Sequence, residues 1–150
     1  MDQAKSLTMS HGAGGAVMQD MIGKLILPIL SNKKWKRSGI QVPLDALDDS
    51  AVVDGIVFTT DSHTVKPIFF PGGDIGSLSV AGTVNDLSVV GAEPLALSSG
   101  FVLEEGLQFE ELERILRSMA ATCKKAGVPI VTGDTKVVER GAVQKIIINT

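Results

Sequence analysis

LALSSGFVLEEGLQFEELERILRSMAATCKKAGVPIVT, residues 95–132, is the stretch whose reading sets the fold class. Its opening, Leu95 to Leu103, is a short apolar run ended by Glu104-Glu105-Gly106, the profile of a strand. From Gln108 to Ala126 the period changes. Phe109, Leu112, Ile115, Leu116, Met119, Ala120 and Cys123 recur at three- and four-residue spacing, which lines one side of a helix. Glu110, Glu111 and Glu113 lie early in it and Lys124 and Lys125 late, matching the helix dipole. Gly127 and Pro129 stop it, and Pro129 to Thr132 reads as a second strand.

The flanking sequence continues the alternation. Upstream, Asp74-Ile75-Gly76-Ser77 starts a helix running to about Gly91-Ala92, stopped by Pro94. Val80, Val84 and Leu87 mark one side of it while Leu78 and Val89 mark nearly the opposite side, which predicts burial on most faces. Its small residues, Ser77, Ser79, Ala81, Gly82, Ser88 and Gly91, let neighbouring backbones approach. Asn85 and Asp86 are its polar exceptions, and buried polar groups need partners.

Before that helix, Lys66 to Gly73 reads as a loop, and strands at Ala51-Val53 and Ile56-Thr60 flank Asp54-Gly55, a tight-turn dipeptide. Residues 31–47 read as a connector, with Lys33-Lys34-Trp35-Lys36-Arg37 as a solvated linker. His11-Gly12-Ala13-Gly14-Gly15 opens a helical pattern through about Leu30 that carries Met18, Met21, Ile22, Leu25, Ile26 and Ile29 on its apolar side, bent near Pro28. Val143 to Thr150 is a final strand after a turn at Glu139-Arg140-Gly141. The whole predicts one mixed α/β or α+β domain over residues 1–150. That strand reaches Thr150 with no cap or turn, so the expectation is the first domain of a longer protein.

Composition narrows the function classes. The chain has 150 residues, 44% hydrophobic and 21% charged, and a net charge of −3. That is an ordinary globular composition with no basic block to support nucleic acid or an anionic membrane as partner. Cys123 is the single cysteine, which excludes an internal disulfide and a thiolate-rich metal site. No apolar run is long enough to span a bilayer and no secretory leader opens the chain, so a cytoplasmic location is the default expectation.

Four aspartates carry the chemistry. Asp49, Asp61, Asp86 and Asp134 each sit beside an apolar segment, at or near the end of a predicted strand or helix. A carboxylate there is costly to bury alone, whereas several converging on one point suit a hard cation, most plainly magnesium carrying a nucleotide phosphate. Each alone reads better as a cap or turn residue; their joint occurrence favours a site. Lys136, two residues after Asp134, is placed to reach a phosphate, although a lone lysine is more often solvated. The Gly14-Gly15 loop can offer backbone N–H groups at a helix start, but it is neither a Walker A motif nor a dinucleotide fingerprint. His11 and His63 lack metal-ligand spacing, and Ser10-His11 and Ser62-His63 lack a nucleophile turn.

With those residues in hand, a family resemblance is apparent. Gly76 through Pro94, with Asn85-Asp86 at its centre, resembles the Asn-Asp helix of the aminoimidazole-ribonucleotide-synthase-like (PurM-like) ATP-dependent superfamily. Asp48-Asp49-Ser50-Ala51 and Thr60-Asp61 resemble its two other acidic motifs. His11 to Gly15, Phe69 to Gly76 and Val131 to Val138 are most similar to the HypE family of [NiFe]-hydrogenase maturation factors. The thiamine-monophosphate kinase family, which shares Gly-Asp-Thr, is the nearest alternative, and a non-catalytic dimerisation module is a third reading.

The resemblance implies an α+β fold: a mixed sheet with helices on one face, paired into a β-barrel across a homodimer. It implies ATP and Mg²⁺ as cofactors, with Asp49, Asp61, Asp86 and Asp134 on the metal and Gly14, Gly15, Thr60, Asn85, Asp134 and Lys136 on the nucleotide phosphates. It further implies dehydration of a thiocarbamoyl group on a C-terminal cysteine to thiocyanate, with the carbamoyl donor HypF and the HypC–HypD acceptor complex as partners. No such cysteine lies in this sequence, since Cys123 sits mid-helix on a core stripe; little dehydratase activity is expected of the chain alone.

Overall fold

The computed structural model describes residues 6–31 and 38–150, so the Lys33 to Arg37 linker lies outside the described residues. The chain divides into two compact units, one up to Gly55 and one from Ile56 to Thr150.

In the first unit a 3₁₀ turn, Met9–Gly12, precedes helix α1 (Ala16–Met21), a π-helical stretch (Ile22–Ile26) and helix α2 (Leu27–Leu30). The wider winding directly precedes Pro28, which has no N–H to donate to the preceding turn. Met18, Met21, Ile22 and Ile26 are half-buried, whereas Leu25 and Ile29 of the expected apolar side are exposed. Strand β1 (Ile40–Val42) pairs antiparallel with β2 (Ala51–Val53). Asp54 and Gly55 follow with φ of 51° and 78°, both in the left-handed region that the expected tight turn requires.

The second unit holds the core. Strands β3 (Ile56–Phe58) and β4 (Ser62–His63) lead to a two-rung antiparallel hairpin, β5 (Phe69–Phe70) with β6 (Gly73–Asp74), inside the segment expected to be loop. Helix α3 (Ile75–Val89), strand β7 (Leu97–Glu104), helix α4 (Phe109–Ala126), strand β8 (Ile130–Val138) and strand β9 (Ile146–Asn149) complete it. The main sheet runs β4-β9-β7-β8, with β7–β8 parallel and the other pairs antiparallel. This is the α+β architecture with a mixed sheet and helices on one face.

Period-two alternation sets those faces. Leu97, Ser99 and Leu103 of β7 and Ile146 and Ile148 of β9 are buried, and they pack with Ile75, Val80, Ile115, Met119 and Cys123 of α3 and α4. The helix starts and stops follow local chemistry. Ser77 N–H donates to Asp74 Oδ1 at 2.9 Å while Asp74 N–H donates to Ser77 Oγ at 3.0 Å, a reciprocal cap at the start of α3. Gly127, at φ 72°, ends α4 and donates its N–H to Cys123 and Lys124.

Three expectations change. Helix α3 buries Ile75, Gly76, Ser79, Val80, Thr83 and Leu87, but leaves Leu78 and Val89 exposed, so it is covered on one side and not on most. On α4, Phe109 and Leu116 stand in solvent; the apolar stripe is wider than the sheet beneath it. Strand β8 runs on to Val138, which places Asp134 in mid-strand instead of at a strand end.

Glu104, the last residue of β7, ties down the 139–145 turn. Its carboxylate accepts from Gly141 N–H at 2.7 Å and Lys145 N–H at 2.9 Å. These two hydrogen bonds, with Arg140 and Lys145 nearby, hold its pKa below the ordinary 4.5. A depressed carboxyl pKa contributes stability that is present above 4.5 and is lost as pH falls through the folded-state value. Denaturant unfolding across acid pH is therefore expected to show a steeper loss for the native chain than for Glu104→Ala. Parallel curves would contradict this role.

Candidate functional site

Residues 59–63 run extended along α3, and their alternation decides what they meet. Thr59 Oγ1 donates to Asp86 Oδ2 at a long 3.4 Å. Two residues on, Asp61 lies against Gly82, one helical turn before Asp86; a Cβ on Gly82 would come 3.5 Å from Asp61 Oδ2. Two further on, His63 is buried, with its Nε2 3.5 Å from Asp61 Oδ2 and 3.4 Å from Thr150 Oγ1. Thr59, Asp61 and His63 thus form one row facing Gly82 and Asp86.

The adjoining strand end locks this row. Asp61 and Thr150 exchange backbone N–H···O bonds of 2.9 and 3.0 Å, which prolongs the β4–β9 pairing by one rung. Thr150 Oγ1 donates to Ser79 O and meets the Thr83 hydroxyl, tying the strand end to α3. On the opposite face of the same strands, Asn149 Nδ2 donates to Asp61 O, Ser62 Oγ and Thr60 Oγ1 at 3.0, 3.0 and 3.2 Å.

Sheet register places the remaining candidates. Ser62 is opposite Asn149, Asn149 opposite Gly100, and Gly100 opposite Asp134, so these positions share the sheet face turned away from the helices. Lys136, two residues on, shares it too. Asp61 and Asp86 are therefore brought to one side of the sheet, and Asp134 and Lys136 to the other. Asn85 is exposed on α3. Asp49, Gly14 and Gly15 belong to the first unit, where Asp49 directly precedes the buried Ser50 and Gly15 caps α1. No three His, Cys, Asp or Glu side chains gather closely enough to hold a metal ion among the described residues.

His63 and Asn149 did not stand out as site residues in the sequence. The available signal was period two: Asp61 with His63, and Asn149 out of phase with Ile146, Ile148 and Thr150. Gly82 is part of the same geometry, because a Cβ there would sit 2.7 Å from His63 Cε1. Gly82→Ala is expected to cost about 1–3 kcal/mol of stability through overpacking and to displace the Asp61–His63 pair. Denaturant unfolding, with the His63 Cε1–H proton resonance as local probe, checks both; an unmoved resonance would show that the contact is not tight.

Residues 47–150 match the family described as AIR synthase related protein, N-terminal domain. The chain belongs to that family. Within the AIR-synthase-related proteins it is similar to carbamoyl dehydratase HypE of Escherichia coli (strain K12), 48% identical over 145 residues. That match takes in 97% of this chain and 43% of the relative. Among solved structures, HypE in a HypE–HypF complex superposes with a TM-score of 0.76 at 48% identity, over 90% of this chain and 40% of that one. A hydrogenase maturation protein HypE in complex with ATP gives 0.62 at 49% identity, over 96% and 41%. The chain thus spans about two fifths of the length of these AIR-synthase-related relatives. No helix among its described residues is long and apolar enough to cross a membrane.

Proposed function

We propose that this chain forms the ATP-binding, dimerising domain of a HypE-type carbamoyl dehydratase, with residues 1–150 acting as one functional domain. The observation that carries this reading is the row along α3, where Thr59, Asp61 and His63 face Gly82 and Asp86, in a chain 48% identical to a HypE. A magnesium ion arriving with a nucleotide needs only one or two protein carboxylates, because phosphate oxygens and water complete its shell. Asp61 and Asp86, against positions one helical turn apart, meet that demand without a three-acid cluster.

In this reading Asp49, Asp61, Asp86 and Asp134 hold the metal, and Gly14, Gly15, Thr60, Asn85, Asp134 and Lys136 hold the phosphates. Bound Mg²⁺ supplies offset for phosphate charge during transfer. The chain's own residues orient the nucleotide: Asn149 fixes the 60–62 backbone, and His63 holds the Asp61 carboxylate against α3. The reaction is phosphoryl transfer from ATP to the oxygen of a cysteine-borne thiocarbamoyl group. The C–O bond then breaks, phosphate departs with that oxygen, the nitrogen gives up its two protons, and thiocyanate and ADP remain.

A homodimer closed through the open sheet face into a barrel, a cytoplasmic location, HypF as carbamoyl donor and HypC–HypD as acceptor complete the proposal. The exposed edge strand β8, unpaired on its outer side within the described residues, supports the dimer. Calorimetric titration of the chain with ATP is expected to show saturable binding with Mg²⁺ and none with chelator. No thiocyanate is expected from the chain alone, since its single cysteine, Cys123, is buried in α4. Phosphorylation of thiamine monophosphate would favour the kinase alternative, and absence of ATP binding would leave only the dimerisation module.

A further inference from the structure

Beneath the row along α3 lies a buried chain of polar groups. His63, Ser79, Thr83 and Thr150 are all buried, and the hydroxyl of Thr150 joins them. It donates to Ser79 O at 3.2 Å, meets the Thr83 hydroxyl, and lies 3.4 Å from His63 Nε2. A hydroxyl carries one proton and two lone pairs. With its proton given to Ser79 O, Thr150 can only accept, from the Thr83 O–H on one side and from the His63 ring on the other.

The carboxylate beside the same ring nitrogen demands the same arrangement. Asp61 Oδ2 lies 3.5 Å from His63 Nε2 and is an acceptor only, so a lone pair on Nε2 would be repelled by it. Both neighbours call for a proton on Nε2, and one N–H shared between two acceptors lies long to each, as here. Which nitrogen of a histidine carries the proton is set by the hydrogen bonds around the ring. We propose that Thr150 is a positioning residue of the nucleotide row: its hydroxyl, anchored on α3 through Ser79 and Thr83, fixes His63 as the Nε2–H tautomer, and that N–H holds the Asp61 carboxylate in place for the metal. The last step rests on the reading of Asp61 as a magnesium ligand; the tautomer does not.

Two measurements on the chain test this. Nitrogen-15 NMR of the His63 ring at alkaline pH, where imidazole is neutral, is expected to show the proton on Nε2. Thr150→Val keeps the shape and removes the hydroxyl, and should give a mixture of tautomers; Thr150→Ser keeps the hydroxyl and should restore the single form. Calorimetric titration with ATP and Mg²⁺ should find Thr150→Val about 10-fold weaker than the native chain, the low end for groups that support a metal's ligands, and Thr150→Ser close to native. Thr83→Val, which removes only the anchor of the Thr150 hydroxyl, should move both readouts the same way by less, and serves if Thr150→Val does not fold. The proposal is overturned if the native ring carries its proton on Nδ1, or if the valine variants lose stability with tautomer and affinity unmoved. A native chain that shows the Nε2–H ring but binds no ATP with Mg²⁺ overturns the nucleotide reading and, with it, the role in positioning, while the tautomer assignment stands.

Discussion

Gly76→Ala should destabilise the chain by about 1–3 kcal/mol or more, although an alanine in a helix interior is intrinsically worth about 1 kcal/mol over glycine. The two effects oppose each other, and geometry decides between them. A Cβ on Gly76 would lie 2.5 Å from the carbonyl oxygen of Ile115 and 3.0 Å from Met119 Cγ. The first obstacle is backbone of α4 and cannot rotate aside, so the two helices must separate. Ile75, Val80, Ile115 and Met119 all pack at or near that contact and would lose it together. Gly23, with no atom within 4 Å of its would-be Cβ and no positive φ, is the control: there alanine should be neutral or stabilising. Equal unfolding midpoints for the two variants would show that α3 and α4 do not approach so closely.

Asp86→Asn should weaken Mg²⁺-dependent ATP binding by more than about 10- to 100-fold, the loss typical of residues that merely support a metal's ligands. Stability should change by less than about 1 kcal/mol, because the amide oxygen still accepts from Thr59 Oγ1. A variant that folds normally and binds no nucleotide separates a site residue from a structural one. Asp134→Asn is expected to weaken binding as well, and the double variant tells how. Residues that share one site couple by about 0.5 kcal/mol or more, whereas independent positions add. Sheet register puts Asp61 and Asp134 on opposite faces, so this coupling tests whether the aspartates serve one nucleotide. Wild-type affinity in Asp86→Asn would remove the basis for reading α3 as the nucleotide helix.

Much of the fold was legible because it rests on period. The strand–helix–strand unit from Leu97 to Val138 follows from the change between an unbroken apolar run and three-four spacing. The far end of β8 was hidden, since Gly133-Asp134-Thr135-Lys136 looks like a turn after Thr132, and only pairing with Ser99 to Val102 keeps it extended. Helix α3 misled for a related reason: apolar residues on two sides announce burial, but only neighbours decide which side is covered, and Leu78 and Val89 stay on the exposed side. The candidate site was legible as residue types and motifs. Its partners were not, because Asn149 and Thr150 lie nearly ninety positions from Asp61 and reach it only through strand pairing.

Strand β8 also sets how this chain behaves in a crowded solution. Eight of its nine residues are exposed, it lies at the end of the sheet order, and Ile130, Val131 and Val137 stand among them. An open, regular edge of that kind is a template on which any extended segment can add, including a strand of a misfolded neighbour. Asp134 and Lys136 are the only charges along it. The two side chains proposed to hold nucleotide would then also be gatekeepers against aggregation, so neutralising both at once should lower solubility as well as affinity.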